Sequence, residues 1–216
     1  MTIHILTIFP DFFDSPLAIS MLQRAQESQA VKFNIIDIRK FTHDKHNTTD
    51  DRPYGGGPGM VMKVEPIAEA LASLNLPQNS TSIRKVLTSA KGKTFTQAQA
   101  QEYTQLSDLV IVCGHYEGVD ERVVEHLVDE EVRIGDYVLT GGEPAALVMA
   151  DAVTRLLPEV LGNEESNQNE SHSQPGVLGF PQYTRPENFN GWIVPEILLN
   201  GDQKKIQNWR EEQRGK

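Results

Sequence analysis

The sequence holds one cysteine, Cys113, among 216 residues. A lone thiol forms no internal disulfide and no metal site by itself, which excludes a disulfide-stapled scaffold. Aromatic residues make up only 7%, and no apolar run approaches the ~20 residues needed to cross a bilayer. Basic side chains are in the minority, with 20 Lys and Arg against 30 Asp and Glu and a formal net charge of −10. Coating nucleic acid by bulk electrostatics requires a cationic face, so any contact with phosphates must be local. The opening MTIHILTIFPDFF has no basic stretch before its apolar run, and the run meets Pro10. It reads as a first strand and not as a secretion signal. A cytoplasmic protein with no membrane partner is the expectation.

What is present is enough apolar material, 38% of residues, for one large domain or two small ones. The negative charge is concentrated. Residues 117–136 carry eight acids and two bases, and residues 159–170 carry four acids and no base, which accounts for the whole excess. Solvated faces are the ordinary reading of such stretches. Short β-branched runs predict strands over 3–9, 33–38, 83–88, 109–113 and 132–139. Amphipathic patterns predict helices over 16–29, 64–76, 96–106 (with Thr96 as its cap), 119–128 and 202–214. Alternating strands and helices imply an α/β domain with a largely parallel sheet. The stretch PAALVMADAVTRLL (144–157) is apolar nearly all round, so its helix is buried in a core or a subunit interface.

Three loops interrupt this pattern: TTDDRPYGGGPGM (48–60), TGGEP (140–144) and the polar stretch 162–179. The glycines of the first match neither a Walker loop nor GxGxxG, which leaves close backbone approach to a ligand or ordinary turn chemistry. His43, Asp44, His46, Asp50 and Asp51 match no familiar metal-ligand spacing, and Lys45 and Arg52 oppose a cation, so no protein-built metal site is expected. Small-residue loops follow three predicted strands at LTSAKG (87–92), GHYEGVDER (114–122) and LTGGE (139–143). Ligands of open α/β sheets bind at the carboxyl ends of strands. Three such loops could form one pocket offering backbone groups, suited to an uncharged ring such as adenine more than to a polyphosphate. Asp151 and Arg155 stand four apart on the apolar helix, as an ion pair or with Arg155 reaching a ligand anion.

Taken together, HDKHNTTDDRPYGGGPGM, GHYEGVDER, RIGDYVLTGGE and PQYTRPENFNG closely resemble the bacterial tRNA (guanine-N1)-methyltransferases of the SPOUT superfamily. The likeness runs in order along nearly the whole chain. It implies a SPOUT-type α/β domain with a C-terminal trefoil knot over 1–161, a lid or linker over 162–179 and a small helical tRNA-binding domain over 180–216. It also implies a homodimer with active sites shared between subunits. The activity implied is S-adenosylmethionine-dependent methylation of N1 of guanine 37 in tRNA.

Carried over by motif, the donor pocket would use Thr88, Ser89 and Ala90, then Gly114 and Tyr116. Ile134, Gly135, Tyr137, Leu139, Gly141 and Gly142 would complete it. Glu170 occupies the position of the family's catalytic Asp, one methylene longer, with Ser166 as a neighbouring lid serine. Arg155 matches the arginine that stabilises charge on guanine O6. Glu117 matches a carboxylate near the base, beside which the family's Mg2+ dependence would act. Asp50 and Arg52 would contact RNA. Family members continue past the segment at Trp209–Gln213 with a basic helix pair, so a C-terminal domain shorter than the family's is expected here. Two alternatives stand beside this reading: a SPOUT enzyme acting on another RNA position, and a catalytically weakened tRNA-binding relative.

Overall fold

The computed structural model describes residues 1–161, 170–174 and 176–215. The chain divides into two compact units, 1–162 and 163–216. In chain order the first unit contains β1 (Thr2–Thr7), α1 (Asp14–Leu17), α2 (Ser20–Glu27), β2 (Lys32–Asp37), β3 (Asp50–Asp51), β4 (Val61–Met62) and α3 (Val64–Ser73). There follow β5 (Ile83–Thr94), α4 (Gln97–Tyr103), β6 (Asp108–Cys113), α5 (Glu121–His126), β7 (Glu130–Arg133) and α6 (Glu143–Thr154).

Five strands pair in the order β2-β1-β6-β5-β7, every pairing parallel. The strand period of two sorts the apolar side chains onto two faces. Ile3, Ile5, Leu109 and Ile111 join a core with Met149 and Val153 of α6 and with residues of α2 and α4. Leu6, Val110 and Val112 join a second core with Ile67 of α3 and Val123 of α5. Helices cover both faces, which is why β6 reads as a continuous apolar run from Leu109 to Cys113.

The observed elements depart from the expected ones at three places. The helix expected over 16–29 is broken into α1 and α2, because Ile19 is extended and Ser20 takes φ +54°. β5 continues past Thr88 to Thr94. Its register on β7 slips between Thr88 and Lys93, both opposite Val132, and residues 89–92 bulge out of the ladder. Gly92 makes this possible, since a Cβ there would fall on the backbone of Glu131 and Val132. The strand expected over 132–139 is instead Glu130–Arg133. Its acids are accommodated from the side, with the Tyr103 hydroxyl donating to Glu130 Oε1 at 2.9 Å, and residues 134–142 leave the sheet. α6 buries Ala145, Ala146, Met149, Ala150 and Val153 in the core and leaves Val148 and Asp151 outside.

In the second unit, β8 (Asn188–Phe189) and β9 (Trp192–Ile193) form a hairpin, followed by α7 (Gln203–Gln213). Asn190 and Gly191 both have positive φ, as a two-residue turn between twisted strands requires. Asp202 caps α7 by accepting from Lys205 N at 3.2 Å. Arg210 lies over the Phe180 ring at 4.9 Å, and Ile206 is buried. No described helix is long and apolar enough to cross a membrane.

Candidate functional site

The bulge within β5 and the loops leaving β6 and β7 meet around a cavity of about 470 Å3. Thr88, at the point where β5 bulges, is buried and joins two of them. Its hydroxyl donates to Val112 O at 3.2 Å and accepts from Gly114 N at 3.2 Å. The third loop is tied in through the backbone, with Gly142 N donating to Gly114 O at 2.7 Å and His115 bridging to Gly141. Gly142 is required by close approach. A Cβ there would fall on Thr88 Oγ1 and come within 2.9 Å of Cys113 Cα and Gly114 N.

The Gly-rich loop is attached to the same place. Glu117 N donates to Met60 O at 3.0 Å, Met62 N to Gly118 O at 2.9 Å and Asp120 N to Met62 O at 3.0 Å. Gly59 packs directly on the Glu117 side chain. The turn this creates puts Tyr116 at φ +60° and leaves its side chain partly exposed on the cavity wall. Strain of this kind in a non-glycine residue persists where the surroundings over-determine it.

All the residues expected to hold the donor lie on this wall: Thr88, Ser89 and Ala90 from the bulge, Gly114 and Tyr116 after β6, and Ile134, Gly135, Tyr137, Leu139, Gly141 and Gly142 after β7. Glu117 lies there too. The wall is rich in small residues, and its two bases are already engaged. Lys91 Nζ is 2.6 Å from Glu121 Oε2 and Arg133 Nε is 2.7 Å from Asp136 Oδ1, while Glu117 and Glu131 add further negative charge. The Glu121 hydrogen bond raises the Lys91 pKa. Such a cavity suits a ring held by backbone groups together with a positive centre, and disfavours a polyphosphate.

The other expected residues lie elsewhere. Arg52 lines a second, larger cavity of about 850 Å3 with Asp51, Tyr54, Lys63 and Arg122, and Val119 and Glu121 border both cavities. Asp50 is in β3, paired with Met62 and off that wall. Arg155 caps the far end of α6, its N–H donating to Asp151 O at 3.0 Å. That is about 18 Å along the helix from Glu143, so one chain does not bring Arg155 to the first cavity. Glu170 belongs to the second unit, where its carbonyl accepts from Ser173 N at 3.2 Å. Ser166 lies outside the described residues.

The acid and histidine group of the 43–51 segment does loop chemistry. Asp44 accepts from Thr48 N, Thr48 Oγ1 and His46 N, each at 2.9 Å, and its pKa is pushed down to about 2, chiefly by the Thr48 backbone bond. His43 Nε2 lies 2.9 Å from Glu69. No group of three or more His, Cys, Asp or Glu able to hold a metal occurs among the described residues.

One group behind the wall escaped sequence reasoning. Glu143, in the first turn of α6, is only 3% exposed and accepts from Thr7 Oγ1 at 2.7 Å. Its other oxygen is 4.0 Å from His115 Nδ1, an atom buried without a hydrogen-bond partner. Burial first, and then the Glu143 charge, push the pKa of the neighbouring Cys113 thiol well up. An acid at that position reads as a partner of the helix dipole. Only the fold shows that two pocket loops close over it.

The family model described as tRNA (guanine-1)-methyltransferase TrmD matches residues 1–216. A protein named tRNA (guanine-N(1)-)-methyltransferase from Carboxydothermus hydrogenoformans is 52% identical over 213 residues, covering 99% of this chain and 82% of the relative. Relatives of the same name from Halalkalibacterium halodurans, 50% identical over 213 residues, and Staphylococcus carnosus, 49% over 214, are each covered to 86% and cover 99% of this chain. With the parallel five-stranded α/β fold and its strand-end pocket, these matches show that the chain belongs to the tRNA (guanine-1)-methyltransferase family of the SPOUT superfamily.

Proposed function

We propose that the chain methylates N1 of guanine 37 in tRNA with S-adenosylmethionine as donor, at a site shared by two copies. The observation that carries this reading is the convergence of three strand-end loops on one small-residue cavity in a chain of this family. The cavity fits the donor by its size, its backbone groups and its negative wall. When bound, the donor supplies a methyl group already activated by its sulfonium.

The chain's own residues have two tasks. The first is to hold the acceptor in line with the methyl, which by itself removes much of the barrier. The second is to take the N1 proton, because neutral guanine N1 is not a nucleophile. Glu170 is the base: its carboxylate accepts that proton as the N1–carbon bond forms and the carbon–sulfur bond breaks, leaving a neutral thioether. Arg155 offsets negative charge developing on O6. Its place at the far end of α6 is the reason for a second copy, since the partner's α6 must bring it to the cavity. Phe9, Phe12, Ile19 and Val148 leave apolar surface exposed in the first unit, which a second copy would cover.

Arg52, with Asp50 and the lid serine Ser166, would meet the RNA, whose target base must leave its stack to enter. The trefoil knot, the three-part division at 161 and 179 and residence in the cytoplasm belong to the same reading. Mg2+ finds no ligand cluster among the described residues.

The test is single-turnover methylation of tRNA carrying guanine at 36 and 37, with the product mapped by mass. Glu170→Gln should slow the chemical step about a thousandfold, within the range of a lost general base, with donor affinity retained. Near-wild-type turnover in that variant would remove Glu170 from the role.

A further inference from the structure

The carboxylate of Glu143 sits one residue's thickness behind the cavity wall. It touches Gly141 and faces His115, both on that wall, and a Cβ added to Gly141 would fall on Glu143 Oε2 and His115 Nδ1 together. It accepts a hydrogen bond from Thr7 Oγ1, itself fully buried, and Phe9 N in turn donates to Thr7 Oγ1 at 2.9 Å. Among the described residues no Lys or Arg pairs with it, and the groups that face it are the neutral hydroxyl of Thr7, the thiol of Cys113 and the imidazole of His115. The His115 ring is fixed edge-on between Phe9 and Tyr116, at centroid distances of 5.1 and 4.9 Å. A carboxylate sealed in this way is poorly screened, so its field extends into the cavity with little loss to solvent.

We propose that Glu143 is a specificity residue that makes the pocket favour the cationic sulfonium donor over the neutral thioether left after transfer. The inference rests on the donor-site reading above and adds to it the origin of product release. Methyl transfer removes the ligand's positive centre at sulfur, and with it the attraction of a charge that does not move. Thr7 and the first turn of α6 fix where that charge lies.

The experiment measures binding of S-adenosylmethionine and S-adenosylhomocysteine to the intact chain by calorimetry. Glu143→Gln keeps the side-chain volume and the acceptor for Thr7, and Glu143→Met keeps the volume without polar atoms. Both should lower the ratio of donor to product affinity roughly tenfold, the scale of one partly screened charge–charge attraction lost. Thr7→Val keeps the charge, so it should cost stability while leaving the ratio near the wild-type value. Glu143→Asp should retain most of the ratio. An unchanged ratio in the two neutral variants, or an equal fall in Thr7→Val, overturns the proposal, because a purely structural role would weaken both ligands alike. A wild-type chain binding neither ligand would instead overturn the donor-site reading, and this inference with it.

Discussion

Toward the N-terminal ends of β1, β2 and β6, polar side chains satisfy one another. Asn34 Nδ2 donates to His4 Nδ1 at 3.0 Å, His4 Nε2 lies 3.0 Å from Asp108 Oδ1, and Ser107 Oγ donates to Asp108 Oδ2 at 2.8 Å. At the C-terminal ends of β5, β6 and β7 the ties run through backbone groups and a threonine, glycines permit the closest approaches, and His115 Nδ1 is left buried without a hydrogen-bond partner. One end of the sheet has only to hold together, so side chains can cross it. The other frames the cavity proposed to hold the donor, and there side chains are withdrawn and the backbone does the joining. A parallel sheet has this asymmetry built in, since all its strand ends of one kind lie together.

The largest effect that can break this comparison is expected at Gly142. Gly142→Ala drives a methyl into Thr88 Oγ1 and against the backbone of Cys113 and Gly114, none of which is the free end of a flexible side chain. Overpacking of this kind costs about 3 kcal/mol or more. Urea unfolding should show the loss, and calorimetry should show no donor binding in whatever chain remains folded. A variant with wild-type donor affinity would mean that the three loops are not joined as tightly as their hydrogen bonds indicate.

Asp108→Ala probes the opposite end and should be intermediate. It leaves His4 Nε2, on a side chain 9% exposed, without its acceptor. An orphaned buried donor costs about 2 kcal/mol. The unfolding midpoint should fall while the methylation rate per folded molecule stays at the wild-type level. A fall in that rate would show that the two ends communicate, and the division into a structural end and a ligand end would fail.

How much of this was legible in the sequence depended on what each residue's neighbours do. β6 is an unbroken apolar run after Asp108, and β1 and β2 carry paired isoleucines, so all three read as strands, and Thr96 caps α4 as read, accepting from Gln99 N at 3.3 Å. The β7 error had a physical cause: Glu130 and Glu131 look too polar for a strand, but Tyr103 and Gln99 supply hydrogen bonds to Glu130 from α4. Conversely, Ile134, Tyr137 and Leu139 look like a strand and instead line the cavity. The break between α1 and α2 carries no proline or glycine to announce it. The pocket loops were legible because small residues clustered after three strands. Glu143 was not, because its importance lies in what two distant loops place over it. The position of Arg155 relative to the cavity followed from helix length, a quantity that the Asp151–Arg155 spacing alone does not contain.

The smallest effect belongs to Lys91, the one long cationic side chain of the 89–92 bulge. Its ammonium bonds Glu121 at 2.6 Å and lies 3.9 Å from Glu131, which raises its pKa above the ordinary 10.5. A raised folded-state value means the native state holds the proton more tightly than the unfolded chain does. The resulting stability is therefore fully present below about pH 10.5 and is lost as pH climbs through the raised value. With 59% of the side chain exposed, solvent and salt screen the pair, and it is worth about 0.5 kcal/mol or less. Lys91→Met should lower the thermal midpoint by about a degree or two near neutral pH. The gap should close in alkaline buffer and shrink at high salt, with donor affinity changed by less than about twofold. If Lys91→Met instead cost as much as Asp108→Ala, the pocket end too would depend on side-chain pairing. The contrast between the two ends would then be one of degree, with the bulge held by its lysine and not by the backbone path through Gly92.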